Sequence, residues 1–134
     1  GPERAIEVPH GYTYSSHPLA CAAGLATMQV YEEEGLFTRA AELGPYWEEQ
    51  AHALKGLPNV IDIRNVGLIA AIELAPRKDA PGARALDAHI AAFERGAYMR
   101  VAADTIALSP PLIIKQSEID QLFEIVRQVL KSTD

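Results

Sequence analysis

The sequence predicts an α+β fold, a mostly antiparallel sheet covered by helices, in a chain of 134 residues. Helical periodicity near both ends, short β-branched runs in the middle and turn residues between them support this class. The predicted elements follow in the order helix, helix, strand, strand, helix, strand, strand, helix. Pairs of adjacent strands between helices are typical of an α+β domain.

Two helices are predicted in the first part of the chain. The first spans about 18–34, because Pro18 suits an initial helical position and Gly35 is a natural stop. The second spans about 36–55, where apolar residues recur at helical spacing. Pro45 lies inside this segment and predicts a kink or break there, because proline removes a helical hydrogen bond.

The middle of the chain predicts two hairpin-like strand pairs and a helix between them. Runs at 60–63 and 67–74 predict the first pair, and the second run should be central because it is apolar on both faces. A helix follows over 83–94, with Leu86, Ile90 and Phe93 on one face. The second pair of strands is predicted at 98–101 and 105–108.

The last helix has the strongest sequence signal. Ser117 is the predicted N-cap and Asp120 occupies the third helical position. A continuous apolar stripe then marks the face that should enter the core, formed by Ile119, Leu122, Phe123, Val126, Val129 and Leu130.

Composition excludes several classes of function. The net charge of −6 argues against non-specific binding to nucleic acid or to an anionic membrane. Apolar runs such as 68–72 are far too short to span a bilayer. The chain has one cysteine, and its first nine residues lack the apolar region of a signal peptide, so we expect a cytoplasmic protein.

The stretch 11–18 is the most informative motif. It combines two tyrosines, three small hydroxyl residues, a histidine and a proline directly before a predicted helix. Hydroxyls and free backbone N–H groups at a helix start are typical of phosphate-binding sites. The hydroxyl of Thr13 could serve a phosphate, or it could cap a local turn.

Other polar residues favour structural interpretations. His10 and His17 have no nearby partners that would complete a ligand set, so no metal site is predicted. His52 and His89 should be solvated on the polar flanks of helices. Cys21, among alanines, is interpreted as a small apolar filler and not as a nucleophile.

Two arginines near strands leave alternatives open. Arg100 could be an edge-strand residue that discourages aggregation, which spacing alone favours. Its guanidinium could instead bind a carboxylate through two parallel hydrogen bonds. Arg64 presents the same alternatives, and the structural one is favoured.

Four segments together resemble class III (omega) aminotransferases, which are pyridoxal phosphate enzymes. They are GYTYSSHPLACAAGLA at 11–26, RNVGLIAAIEL at 64–74, YMRV at 98–101 and DTIALSPPLII at 104–114. Within the family, the similarity is greatest to omega-amino acid (β-alanine)–pyruvate aminotransferases. The resemblance covers essentially the whole chain.

The resemblance implies a place in a fold type I enzyme, which has a large cofactor domain and a small domain. Residues 1–17 would be an extended lead-in carrying the phosphate motif, and 18–134 the C-terminal small domain, with the large domain absent. Thr13 would reach across a dimer to the cofactor phosphate of the other subunit. Arg100 would bind the substrate carboxylate. Ser16 departs from the glycine or alanine that is usual at its position.

The resemblance also implies that no catalytic residue lies in this chain. The family's cofactor-bearing lysine precedes the threonine motif, and the four lysines here lie on predicted polar helix ends or loops: Lys55, Lys78, Lys115 and Lys131. The segment alone should be inactive, and the whole enzyme should pass amino groups from an omega-amino acid or amine to pyruvate. An aminomutase, a decarboxylase, a racemase or a free-standing binding module are the alternatives.

Overall fold

The computed structural model describes Glu3 and residues 11–134, which form two compact units. The first unit covers residues 1–35 and the second covers Leu36–Asp134. This division lies further along the chain than the boundary between residues 17 and 18 that the sequence suggests for the small domain. That boundary stays a prediction.

The first unit contains a turn at 13–16 and helix α1, Pro18–Glu33. Pro18 occupies the predicted initial position, and Gly35 follows the helix with a φ of +59°. A positive φ carries no steric penalty for glycine, which explains why the helix stops here. No residue of α1 is buried.

The second unit has three helices and four strands. In chain order they are α2 (Leu36–His52), β1 (Val60–Val66), β2 (Ile69–Leu74), α3 (Ala83–Phe93), β3 (Arg100–Ala102), β4 (Thr105–Leu108) and α4 (Gln116–Ser132). The strands form one antiparallel sheet in the order β1-β2-β4-β3. The predicted α+β class, the first hairpin and the central place of β2 are confirmed.

The core lies between the helices and one face of the sheet. Side chains that alternate along the strands are buried on this face, as the two-residue period of a strand requires: Ile63, Ala70, Ile72, Leu74, Ile106 and Leu108. The rings of Trp47 in α2 and Phe123 in α4 meet edge to face, with centroids 4.8 Å apart. The predicted stripe of α4 enters this core, where Leu122 is only half-buried.

Two helix predictions are wrong in detail. Helix α2 is not broken at Pro45, and it ends at His52 and not near Lys55. Pro45 and Ala41, whose carbonyl loses its helical donor, are both exposed, so water can satisfy that carbonyl. Meanwhile Trp47 and Ala51 anchor the following turns in the core.

Helix α4 begins earlier than predicted: its N-cap is Lys115 and not Ser117. The Lys115 N–H donates to the Glu118 carboxylate at 2.7 Å, closing the first turn around glutamate at the third position. Asp120 instead accepts a hydrogen bond from the Tyr46 hydroxyl of α2. This bond raises the pKa of Tyr46.

The apolar face predicted for α3 is not the face that enters the core. Leu86, Ile90 and Phe93 are exposed, and small residues of α3 are buried instead: Ala85, Ala88 and Ala92. Alanines allow the helix backbone to approach its neighbours closely, which accounts for their selection on the packed side. Among the described residues, no helix has the length and apolar character needed to cross a membrane.

Candidate functional site

The stretch before α1 forms a tight, hydrogen-bonded turn around Thr13. The Ser15 N–H donates to the Tyr12 carbonyl at 2.9 Å, and the His17 N–H donates to the Tyr14 carbonyl at 3.2 Å. The hydroxyl of Ser15 in turn accepts from the Tyr12 N–H at 2.8 Å. These contacts hold the backbone on both sides of Thr13.

The hydroxyl of Thr13 is exposed and has no hydrogen-bond partner among the described residues. The adjacent start of α1 has no side-chain cap at His17 and no acidic residue in its first turn. Its first N–H groups therefore keep their positive partial charge. A free hydroxyl beside such a helix start is chemically suited to a phosphate group.

Ser16 adopts the left-handed backbone, with a φ of +63°. This region is costly for residues with a Cβ and free of that cost for glycine. Ser16, which stands where glycine or alanine is usual, therefore lies at a strained position in the turn. Tyr14 also has a positive φ, of +69°, and its ring stacks on His17.

The second unit presents an open sheet face, opposite the core. We define it by the outward-facing residues of the four strands: Asp62, Arg64, Val66, Ile69, Ala71, Glu73, Arg100, Ala102, Thr105 and Ala107. Cross-strand pairing arranges eight of them in two rows. One row runs Arg64, Ala71, Ala107, Arg100, and the next runs Asp62, Glu73, Thr105, Ala102.

Arg100 ends the first of these rows. It is the first residue of β3, an edge strand, and its side chain is exposed. No hydrogen bond or ion pair engages it within the part of the chain that the structure describes. An edge position agrees with the aggregation-blocking interpretation, and a free guanidinium agrees with the carboxylate-binding one.

Arg64, at the other end of the row, is paired with two carboxylates. Its Nη1 donates to Asp62 Oδ2 and to Glu73 Oε2, both at 2.8 Å. The hydrogen bonds to Glu73 and then to Asp62 raise the pKa of the guanidinium. The structural interpretation of Arg64 fits this geometry, since two neighbouring carboxylates already balance its charge.

Sequence patterns single out Arg64 but neither of its carboxylate partners. The signal that could have found them is the two-residue turn at Gly67 and Leu68, which pairs Val66 with Ile69. Counting back along both strands places Asp62 opposite Glu73, with Arg64 diagonal to the latter. Two facing carboxylates require a cation between them, and Arg64 supplies it.

The expectation that two histidines are solvated is wrong. His52 is half-buried and its Nε2 lies 2.9 Å from the side-chain oxygen of Asn65 in β1. His89 is also half-buried, and its Nδ1 is buried without a partner among the described residues. Its ring packs beside Phe93 and Tyr98. Tertiary contacts with a strand and with aromatic rings cover both histidines.

Two further predictions concern the first unit: the role of Cys21 and the absence of a metal site. Cys21 is exposed and no residue of α1 is buried, so the interpretation of Cys21 as a small apolar filler stays a prediction. His17 joins no cluster of three possible metal ligands within the described residues. His10 lies outside the described residues.

All four lysines are exposed. Lys55 follows α2, and Lys78 lies in the loop between β2 and α3. Lys115 is the N-cap of α4, and Lys131 lies near the end of that helix. A lysine needs burial or a second cation nearby to lower its pKa for covalent chemistry. None of these four side chains is buried.

Comparison with known proteins identifies the family. The family model described as "Aminotransferase class-III" matches residues 2–130. The chain belongs to the class III aminotransferases. It is 52% identical over 134 residues to an omega-aminotransferase of Caulobacter vibrioides, and 44% identical over 129 residues to a beta-alanine–pyruvate aminotransferase of Pseudomonas aeruginosa. These alignments cover 100% and 96% of this chain.

Solved structures agree with the sequence relatives. A thermostable omega transaminase mutant from Pseudomonas jessenii superimposes with a TM-score of 0.84 and 32% identity, over 95% of this chain and 30% of that one. The chain likewise spans 30% and 29% of the lengths of the two aminotransferases named above. The α+β segment thus corresponds to the C-terminal part of a larger pyridoxal phosphate-dependent transaminase fold.

Proposed function

We propose that this segment supplies the substrate-binding arginine and a phosphate-binding hydroxyl to an aminotransferase. The whole enzyme moves an amino group from an omega-amino acid or amine to pyruvate. The relative named for β-alanine and pyruvate supports this choice of donor and acceptor. The identity of 52% to an omega-aminotransferase supports the broader reaction class.

The observation that carries the proposal is the state of Arg100. Its guanidinium is exposed on the open sheet face and has no partner among the described residues, whereas Arg64 in the same row is bonded to two carboxylates. A planar guanidinium that is free to form two parallel hydrogen bonds suits a substrate carboxylate. Arg100 is therefore the arginine of this face that binds the substrate.

Thr13 is the residue we assign to the cofactor. When bound, pyridoxal phosphate carries the amino group between donor and acceptor. The free Thr13 hydroxyl and the uncapped start of α1 fit its phosphate group, because both offer hydrogen-bond donors to an anion. We assign this contact to the phosphate held by the second subunit of a homodimer.

The catalytic lysine lies outside this chain. The exposure of all four lysines supports this, since a covalent cofactor site needs a buried or electrostatically activated amine. It follows that the segment alone neither holds the cofactor tightly nor transaminates. The cytoplasm is the compartment we propose, on the basis of the single cysteine.

The exposure of α1 favours a segment of an enzyme over a free-standing binding module. Leu19, Leu25 and Met28 are between 66% and 77% exposed, and a self-contained module would cover such residues. Within the enzyme alternatives, the named relatives favour transamination over a mutase, decarboxylase or racemase reaction.

Product analysis of a full-length enzyme carrying this segment tests the proposal. With β-alanine as donor and pyruvate as acceptor, we expect L-alanine to form in step with donor consumption. Ethylamine or an isomerised amino acid formed from β-alanine without pyruvate would instead point to a decarboxylase or a mutase, and racemisation of L-alanine without a keto acid would point to a racemase. Preference for a different keto acid would refute the assignment of the acceptor alone.

A further inference from the structure

The short strand that carries Arg100 is fixed at two points. Strand β3 has three residues and lies at the edge of the sheet, where it pairs with β4 alone. Met99, directly before the strand, is buried in the core and fixes its start. At the other end, Ala102 pairs with Thr105, which leaves residues 103 and 104 as a two-residue turn. The direction of β3 therefore depends on where this turn is held.

The turn between β3 and β4 is costly by itself. Ala103 has a φ of +50°, in the left-handed region that glycine adopts freely and that costs energy for a residue with a Cβ. Two-residue hairpin turns usually place glycine, asparagine or aspartate at such positions. A backbone held in an unfavourable region persists only where surrounding contacts stabilise it. Contacts from outside the hairpin must therefore hold this turn.

Asp104 makes those contacts with two different elements. Its carbonyl oxygen accepts a hydrogen bond from the Leu74 N–H at the end of β2, at 2.9 Å. Its side-chain Oδ1 accepts from the Gly82 N–H before α3, at 2.7 Å. The side chain is half-buried, which shields this second bond from water. Asp104 thus joins the hairpin of Arg100 to β2 and to α3.

The start of α3 suits this carboxylate. Gly82 is the N-cap of α3 and has a φ of +82°, and the Ala103 carbonyl oxygen lies 3.5 Å from the place that a Cβ of residue 82 would take. Helix α3 has no side-chain cap of its own and no acidic residue in its first turn. The carboxylate of Asp104 supplies the negative charge that a helix N-terminus favours.

We propose that Asp104 is a positioning residue for Arg100. Its side-chain bond to Gly82 fixes the direction of β3, and so the place from which the Arg100 guanidinium reaches a substrate carboxylate. Two parallel hydrogen bonds tolerate little displacement of either partner, so a shifted strand weakens them. Asp104 thereby contributes to the affinity for carboxylate-bearing donors without touching them. This role rests on the proposed function of Arg100.

Two donors with the same three-carbon chain give the measurement. β-Alanine has a carboxylate where propylamine has a methyl group, and both are assayed with a full-length enzyme carrying this segment. Asp104→Ala should raise the KM for β-alanine roughly fivefold, the scale of a lost hydrogen bond. The kcat/KM for propylamine should stay within about twofold, because this donor makes no bond to Arg100.

Asp104→Asn is the rescue variant, because it keeps an oxygen acceptor for the Gly82 N–H. It should return the KM for β-alanine to within about twofold of the original enzyme. In an Arg100→Ala background, Asp104→Ala should leave the ratio of kcat/KM values for the two donors unchanged, because the group that it positions is gone.

Glu118→Ala is the matched structural control. Glu118 also accepts a hydrogen bond from a backbone N–H at 2.7 Å, that of Lys115 at the start of α4. Its loss should lower the thermal unfolding temperature about as much as Asp104→Ala does. It should leave the ratio of kcat/KM values for the two donors unchanged, because α4 does not carry Arg100.

Four results would overturn the inference. They are an unaltered KM for β-alanine in Asp104→Ala, equal losses for both donors, an equal change of the ratio in Glu118→Ala, and a change that persists without Arg100. Failure of the proposed function is a separate outcome. It would show as an Arg100→Ala enzyme that keeps the original preference for β-alanine over propylamine.

Discussion

The two units of this chain differ in how their folds are stabilised. The second unit encloses a continuous core in which Trp47, Leu54 and Phe123 are almost completely buried. In the first unit, no residue of helix α1 is buried, and apolar ones such as Leu25 are exposed. Burial of apolar surface is the main stabilising term in folding. The second unit can thus fold by its own packing, whereas α1 needs surfaces from elsewhere in the enzyme.

Matched leucine truncations in the 134-residue chain test this contrast most strongly. Leu130→Ala in α4 should lower the free energy of unfolding by about 2–5 kcal/mol, because that leucine is buried. Leu25→Ala in α1 should change it by less than about 0.5 kcal/mol. Urea unfolding followed by circular dichroism measures both variants. An equal loss in the two would show that α1 is packed in solution.

The two arginines of the open face extend the contrast to function. In a full-length enzyme carrying this segment, Arg100→Ala should weaken transition-state binding of carboxylate-bearing donors by about 2–5 kcal/mol, which lowers their kcat/KM. Arg64→Ala should change kcat/KM far less, since it removes only exposed ion pairs with Asp62 and Glu73. Steady-state kinetics with β-alanine and propylamine separate the effects. Equal losses for the two donors in Arg100→Ala would contradict its carboxylate role.

Thr13 gives the corresponding test in the first unit. Thr13→Ala should weaken cofactor binding by about 1.5–3 kcal/mol, the usual scale of a hydrogen bond to a charged group. Thr13→Ser keeps the hydroxyl and should retain most of the affinity. Thr27→Ala is a control, because that hydroxyl already donates to the Ala23 carbonyl at 2.8 Å. Equilibrium dialysis of the full-length holoenzyme against buffer measures the retained cofactor, and equal retention in all three variants would remove Thr13 from the site.

The smallest effect should come from the strained turn. Ser16→Gly should stabilise the turn by about 1 kcal/mol, because glycine adopts a φ of +63° without steric cost. Ser15→Gly should have the opposite sign, since it deletes the hydroxyl that accepts from the Tyr12 N–H. Thermal unfolding of the full-length enzyme compares the two. Shifts of the same sign would contradict this reading of the turn.

Most of the second unit could be predicted from sequence because its elements are local. The pairing of β1 with β2 follows from the turn at Gly67, and α4 follows from its apolar stripe. The pairing of β2 with β4 joins strands on either side of α3 and could not be predicted from local signals. The inward face of α3 could not be predicted, because the larger residues Leu86, Ile90 and Phe93 gave the stronger apolar signal while alanines pack more closely. Tertiary packing decided between them.

The candidate site also has a part that the sequence could identify and a part that it could not. Arg100 and Thr13 could be singled out by residue type and resemblance, but whether either side chain was free depended on neighbours distant in sequence. The ion pair of Arg64 with Glu73 joins residues of two strands, and the ring of His52 in α2 lies 2.9 Å from the side-chain oxygen of Asn65 in β1. Such contacts arise only after the chain has folded.

The central claim is that this segment contributes binding groups but not the covalent chemistry of the cofactor. Absorption titration of the 134-residue chain with pyridoxal phosphate tests it most directly. We expect only weak, unsaturated binding that changes little when any one of the four exposed lysines is replaced by arginine. A stable, stoichiometric near-ultraviolet or visible band that disappears with the replacement of one lysine would contradict the account.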